Sequence, residues 1–289
     1  MTDIVYRNYS QTELDRQYDQ RSLVPDLAPY QKVWREGTDR ARATLPVVRD
    51  ISYDPHPAAR LDLYGQGDGS APVVLYYHGG AWRTLDLDHS GFAAPPIVAA
   101  GALFIAVDFA LLPTEPLAEQ VRQARAAVAW ARRHAADHGG DPEKLYVAGH
   151  SSGGHLVGTL IAGGWHAEVG LPEDAIRGAL ASSGPYDLEP VRLSARNDFL
   201  KLTEAEAKRL SAIDNIPTGY GPPLAVFWGD GEHDEFRRQG RAFADAWRAA
   251  GHPVTAAEVP NQNHFDMSTA FADPNLPVLP AILEMIAGG

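Results

Sequence analysis

From residue 72 onward the chain alternates short apolar runs with longer amphipathic stretches, and few folds accommodate that pattern. The runs are PVVLYYH at 72–78, ALFIAVDF at 102–109, KLYVAGH at 144–150, GALASSG at 178–184 and PLAVFWG at 223–229. Each has the length of a strand and is apolar enough to be buried on both faces. Between them, residues 117–138 bring Val121, Ala124, Ala127, Val128 and Ala131 onto one helical face, and residues 236–250 do the same with Phe243, Ala246 and Trp247. This predicts an α/β fold: a mainly parallel sheet with helices on both sides. Upstream, VVRDISYD (47–54) and ARLDLYG (59–65) alternate polar with apolar and predict a half-exposed antiparallel hairpin at a sheet edge. PVTAAEV (253–259) supplies a last strand, bringing the expected total to about eight.

Composition excludes several functions. Lys plus Arg number 25 against 37 Asp plus Glu, a formal charge of −12 that repels nucleic acid. No run approaches the roughly 18 apolar residues of a membrane span. The segment MTDIVYRNYSQTELDRQYDQ lacks a basic start followed by an apolar core, so a cytoplasmic location is expected. The Asn8-Tyr9-Ser10 sequon is then a chance match. Cysteine is absent, which removes disulfides, thiolate metal sites and cysteine nucleophiles together. With no repeat and no linker, one domain over 1–289 is expected. Residues 1–45 form an N-terminal arm with a polar helix near Thr12–Tyr18, and residues 186–221 form an insertion too long for a loop. Insertions of that kind cover the C-terminal edge of the sheet, so 186–221 is predicted to be a cap.

The chemistry concentrates in three places. Gly149-His150-Ser151-Ser152-Gly153 follows the strand LYVAG and opens the helix-like run HLVGTLIAG. Small residues two before and two after a serine let the chain turn sharply from strand to helix and push Ser151 Oγ clear of the sheet. His78-Gly79-Gly80-Ala81-Trp82 directly follows VVLYY, and its glycines leave backbone amides uncovered. The N–H groups of Gly80 and Ala81, with that of Ser152, are therefore candidate oxyanion donors. A serine at its free pKa needs a histidine base held by a carboxylate. His264, in NQNHFDM beyond the last strand, fits the chain order serine, acid, histidine, 113 residues after Ser151. The acid should lie after LAVFWG, where Asp230, Glu232 and Asp234 are available. Asp234 is preferred because it follows the turn, while Asp230-Gly231 reads as a turn dipeptide.

Other motifs have plainer readings. His155 lies on the helix after the elbow and reads as packed, and His150 sits beside the serine without an obvious way to face it. His134 and His138 fall in a last helical turn, where histidine favours the dipole more than a metal. Gly65-Gln66-Gly67-Asp68-Gly69 precedes a strand, so it is a loop and no nucleotide fingerprint. Asp230, Glu232 and Asp234 lack the spacing of a calcium loop. No metal and no cofactor is implied.

With these motifs in place the chain resembles the α/β hydrolases, and among them the serine-dependent kynurenine formamidases. The resemblance covers most of the chain: HGGAW, GHSSGGHL, ELDRQYD at 13–19, YDLEPVRLSARNDFLKLTEAEAKRLS at 186–211 and EHDEFRRQGR at 232–241. It supports Asp234, because the family carries its aspartate just before an F-x-R-Q pattern. The chain departs from the family at Ser152 (commonly Ala), Ser211-Ala212 (commonly Ser-Pro) and Gly240 (commonly Ser). The resemblance implies a small-molecule substrate, with Ser151, activated by His264 and Asp234, attacking the acyl carbon of an aryl formamide such as N-formylkynurenine. Trp82 is expected to wall the acyl pocket, and Trp165, Tyr186 and Phe199 to hold the aromatic part. A short-acyl carboxylesterase would use the same triad, and a non-catalytic ligand-binding scaffold would not need it intact. A homodimer is left open.

Overall fold

A computed structural model of the chain describes residues 3–288. Its main sheet has eight strands: β3 (Val47–Ser52), β4 (Arg60–Tyr64), β5 (Ala71–Tyr77), β6 (Leu103–Val107), β7 (Gly140–His150), β8 (Ile176–Ser182), β9 (Leu224–Gly229) and β10 (Val254–Val259). Their order is β10-β9-β8-β7-β5-β6-β4-β3, and β3 and β4 are the antiparallel members. A separate small hairpin, β1 (Ile4–Tyr6) with β2 (Tyr9–Ser10), begins the described chain. The eight runs read from the sequence are these eight strands. The doubly buried strands follow from period-two packing: in β5, Val73, Leu75 and Tyr77 enter one core while Val74 and Tyr76 enter the other.

The hairpin differs from expectation. β3 is the edge, but β4 lies between β3 and β6 and is almost fully buried. Its alternating Asp62 is 1% exposed because Arg42 donates to it from Nε and Nη2 at 3.1 and 2.8 Å. A polar letter that reads as solvent-facing is thus one half of a buried ion pair. Arg42 belongs to the helix Ala28–Thr44, which the sequence pattern does not reveal. That helix buries only Trp34, Thr38 and Ala41, a mixed stripe with little apolar contrast.

Between β8 and β9 lie three short helices, Glu189–Leu193, Asn197–Leu200 and Glu204–Leu210. The arm is tied to them: Gln11 donates to the Leu193 carbonyl, Asp15 accepts from the Ala195 amide, and Arg196 donates to the Tyr18 carbonyl. Among the described residues no helix is long and apolar enough to cross a membrane.

Candidate active site

β7 delivers Ser151 at a turn where its φ is +56°, and the helix Ser152–Ile161 follows immediately. The turn is possible only with glycine at 153: a Cβ there would lie 1.9 Å from the Tyr77 carbonyl oxygen of the neighbouring strand. Ser151 Oγ is 2.9 Å from His264 Nε2, and His264 Nδ1 is 2.9 Å from Glu232 Oε2. All three side chains are buried. With Glu232 accepting at Nδ1–H, the other ring nitrogen carries a lone pair toward the serine hydroxyl.

The carboxylate against His264 is therefore Glu232 and not Asp234. Asp234 is the first residue of the helix Asp234–Ala249, with its side chain 75% exposed and 3.5 Å from Arg237. It sits where an acid complements the helix dipole, and the helix has already carried it away from the imidazole. Asp230 is also exposed and its amide is bound to the Val259 carbonyl. Glu232 sits in the turn between strand and helix, and its extra methylene lets it fold back. Its Oε1 accepts from the Gly229 amide at 2.9 Å and from the Ser183 hydroxyl. The signal available in the sequence was distance from the strand end, three residues for Glu232 and five for Asp234.

The HGGAW loop turns tightly, with φ of +101° at Gly80, +53° at Ala81 and +63° at Trp82. The Gly80 carbonyl takes hydrogen bonds from the Arg83 and Thr84 amides. Among the described residues the amides of Gly80, Ala81 and Ser152 have no acceptor, which is the condition an oxyanion site requires. Trp82 does not wall this site. It is fully buried, its indole N–H directed at His155 Nδ1 and its carbonyl bound by Leu112 and Gln120, so it pins the loop from behind. His155 is a packed histidine, its other nitrogen donating to the Leu210 carbonyl. Burial lowers its pKa to about 4. His150 does reach the site: it donates from Nε2 to the His264 carbonyl at 2.8 Å, and burial, then the neighbouring His264, drive its pKa well down. Ser152 Oγ is buried with no partner among the described residues.

Ser151 and His264 open into a cavity of about 620 Å³, within the range of ligand pockets. Its apolar walls include Leu27, Trp34, Leu85, Phe92, Phe199 and Phe265. Of the four residues expected to contact substrate, Phe199 alone is among them. Trp165 is 1% exposed and lies in the core, donating to the Leu160 carbonyl. Tyr186 is fully buried and stacks on Phe243 at 4.3 Å. In their place the arm contributes Tyr18, Gln20, Leu27 and Trp34. Among the described residues no group of three or more His, Asp or Glu side chains is placed to hold a metal ion. His134 and His138 lie beside Trp130, at ring separations of 5.2 and 6.2 Å.

Comparison with known proteins identifies the family and supports the fold. Residues 74–267 match the family model for the alpha/beta hydrolase fold. The chain belongs to that family. This α/β hydrolase is 30% identical to kynurenine formamidase of Danio rerio over 97% of its own length and 98% of the relative's. It is 28% identical to carboxylesterase NlhH of Mycobacterium tuberculosis over 75% and 72% of the two chains. Among solved structures, a chain from Silicibacter sp. tm1040 aligns with a TM-score of 0.81 at 24% identity, covering 95% and 99% of the two chains. An esterase from Pyrobaculum calidifontis aligns at 0.70 and 20% identity, covering 93% and 95%. Its full-length curated relatives and its fold make this α/β hydrolase an enzyme that hydrolyses acyl bonds.

Proposed function

We propose that this enzyme is a serine hydrolase that cleaves a small acyl group from an aromatic amine, an aryl formamide such as N-formylkynurenine. The observation that carries the reading is the unbroken chain from Ser151 Oγ through His264 to Glu232, opening onto an aromatic-walled cavity beside three uncommitted amides. His264 Nε2 takes the Ser151 proton as Oγ bonds to the formyl carbon. The carbonyl oxygen becomes an oxyanion, received by the Gly80, Ala81 and Ser152 amides. The C–N bond then breaks as the imidazolium returns its proton to the leaving arylamine. Water, deprotonated by His264, attacks the formyl ester, and formate leaves with Ser151 restored. Glu232 keeps the imidazole in the reactive tautomer and offsets its charge. Full-length similarity to kynurenine formamidases supports the formamide over an ester. The test is kcat/KM on N-formylkynurenine against a p-nitrophenyl ester series of acetate to hexanoate. A formamide value at or above the best ester supports the reading; formamide turnover at background with rapid ester cleavage makes the enzyme a carboxylesterase.

A further inference from the structure

We propose that Arg196 selects the substrate by binding a carboxylate, with Gln20 accepting from an adjacent ammonium; the inference rests on the formamide reading and adds the residues that would hold the far end of the molecule. Arg196 follows the first cap helix and lines the catalytic cavity. Its Nε and Nη2 donate to the Tyr18 carbonyl at 3.0 and 2.7 Å, and its plane lies over the Tyr18 and Phe236 rings at 5.6 and 6.0 Å.

A guanidinium carries five N–H groups. Both on Nη1 and the second on Nη2 have no acceptor among the described residues. Four other half-buried arginines differ: Arg42 meets Asp62 at 2.8 Å, Arg192 meets Glu189 at 2.6 Å, Arg237 meets Glu258 at 3.0 Å and Arg238 meets Glu235 at 2.6 Å, while Arg125, outside this cavity, has Glu168 only at 4.0 Å. Arg196 has no carboxylate at ion-pair distance among the described residues, and Asp19 steadies it only through space. Burial lowers its pKa to about 10, so it is charged at neutral pH. Holding the arm to the cap explains two N–H groups. It does not call for a charge, which the Tyr18 and Phe236 ring faces offset only in part, since a neutral amide would donate there without the cost of burying a cation that has no carboxylate. The free Nη1–Nη2 edge is the fork that a carboxylate fits.

Gln20 lines the same cavity two residues beyond Tyr18 and is 4% exposed. Its Nε2 donates to the Gln17 carbonyl at 3.1 Å, which fixes the orientation of the amide, and its Oε1 is buried with no donor among the described residues. An unmet acceptor and an unmet cationic fork on the lining of one cavity complement the two charged groups of an α-amino acid.

The experiment compares N-formylkynurenine with 2-formamidoacetophenone, the same aryl formamide without the amino-acid end. Arg196→Gln should lower the ratio of the two kcat/KM values roughly 10- to 100-fold, chiefly through KM, with Arg196→Lys recovering part. Gln20→Leu, which leaves the tie to Tyr18 in place, should lower it less. On wild type, kynurenine should inhibit at least 10-fold more tightly than 2-aminoacetophenone, a readout independent of variant folding. A ratio unchanged within twofold in a folded Arg196→Gln variant, or equal inhibition by the two amines, overturns the proposal. If wild type cleaves esters but neither formamide, the formamide reading fails instead, and the same ratio on aryl acetates with and without a carboxylate decides Arg196.

Discussion

The floor and the walls of the cavity come from different parts of the chain and obey different rules. The floor is the C-terminal edge of the sheet, where Ser151, Glu232, His264 and the HGGAW loop leave parallel strands at positions that strand pairing fixes. Much of the wall comes from the arm and from residues 195–199 between β8 and β9, which are joined by hydrogen bonds between loops and short helices, and Leu85, Phe92 and Phe265 complete it. A floor residue should therefore act on the rate for every substrate, and a wall residue on which substrate is preferred.

The largest expected break is Ser151→Ala, which should cost about 10⁴-fold or more in kcat on amides and esters alike. Stoichiometric phosphonate labelling of wild type but not of the variant checks that Ser151 is the nucleophile. Next comes the acid: Glu232→Gln should reduce kcat by about 10²- to 10⁴-fold, while Asp234→Asn should stay within about twofold. Steady-state kinetics on the pair decide between them, and the reverse pattern would return the acid to Asp234. Gly80→Ala should cost about 10²-fold in kcat, since a Cβ there would meet the Thr84 carbonyl oxygen at 2.1 Å and displace the neighbouring amides. The smallest effect is on the wall. Phe199→Ala should raise KM for aryl substrates by about 5- to 10-fold through lost aromatic contact, with little change for acetate esters of small alcohols. An equal loss on both would mean that Phe199 supports the floor.

The same division governs what can be read from sequence. Doubly buried strands announce themselves as apolar runs, and the elbow as glycines flanking a serine, so eight strands, Ser151, His264 and the HGGAW loop were legible. The acid was blurred because three carboxylates crowd five residues, and the choice turns on where the helix begins: Asp234 is already its first residue. The walls were nearly illegible. Trp82, Trp165 and Tyr186 are large aromatics near the right elements, yet each is consumed by packing. Trp34 and Tyr18, which do line the cavity, sit in polar segments whose buried stripe is narrow. The departure at Gly240 has a local reason, since a Cβ there would lie 2.5 Å from the Trp228 ring.

The helix Asp234–Ala249 begins two residues after Glu232, and its Gln239 side chain donates to the Tyr18 hydroxyl and the Asp187 carbonyl while accepting from the Asp187 amide. One helix therefore stands beside the carboxylate of Glu232 at its start and ties Tyr18 to Asp187 further along. Loosening that helix would disturb the enclosure and the relay together.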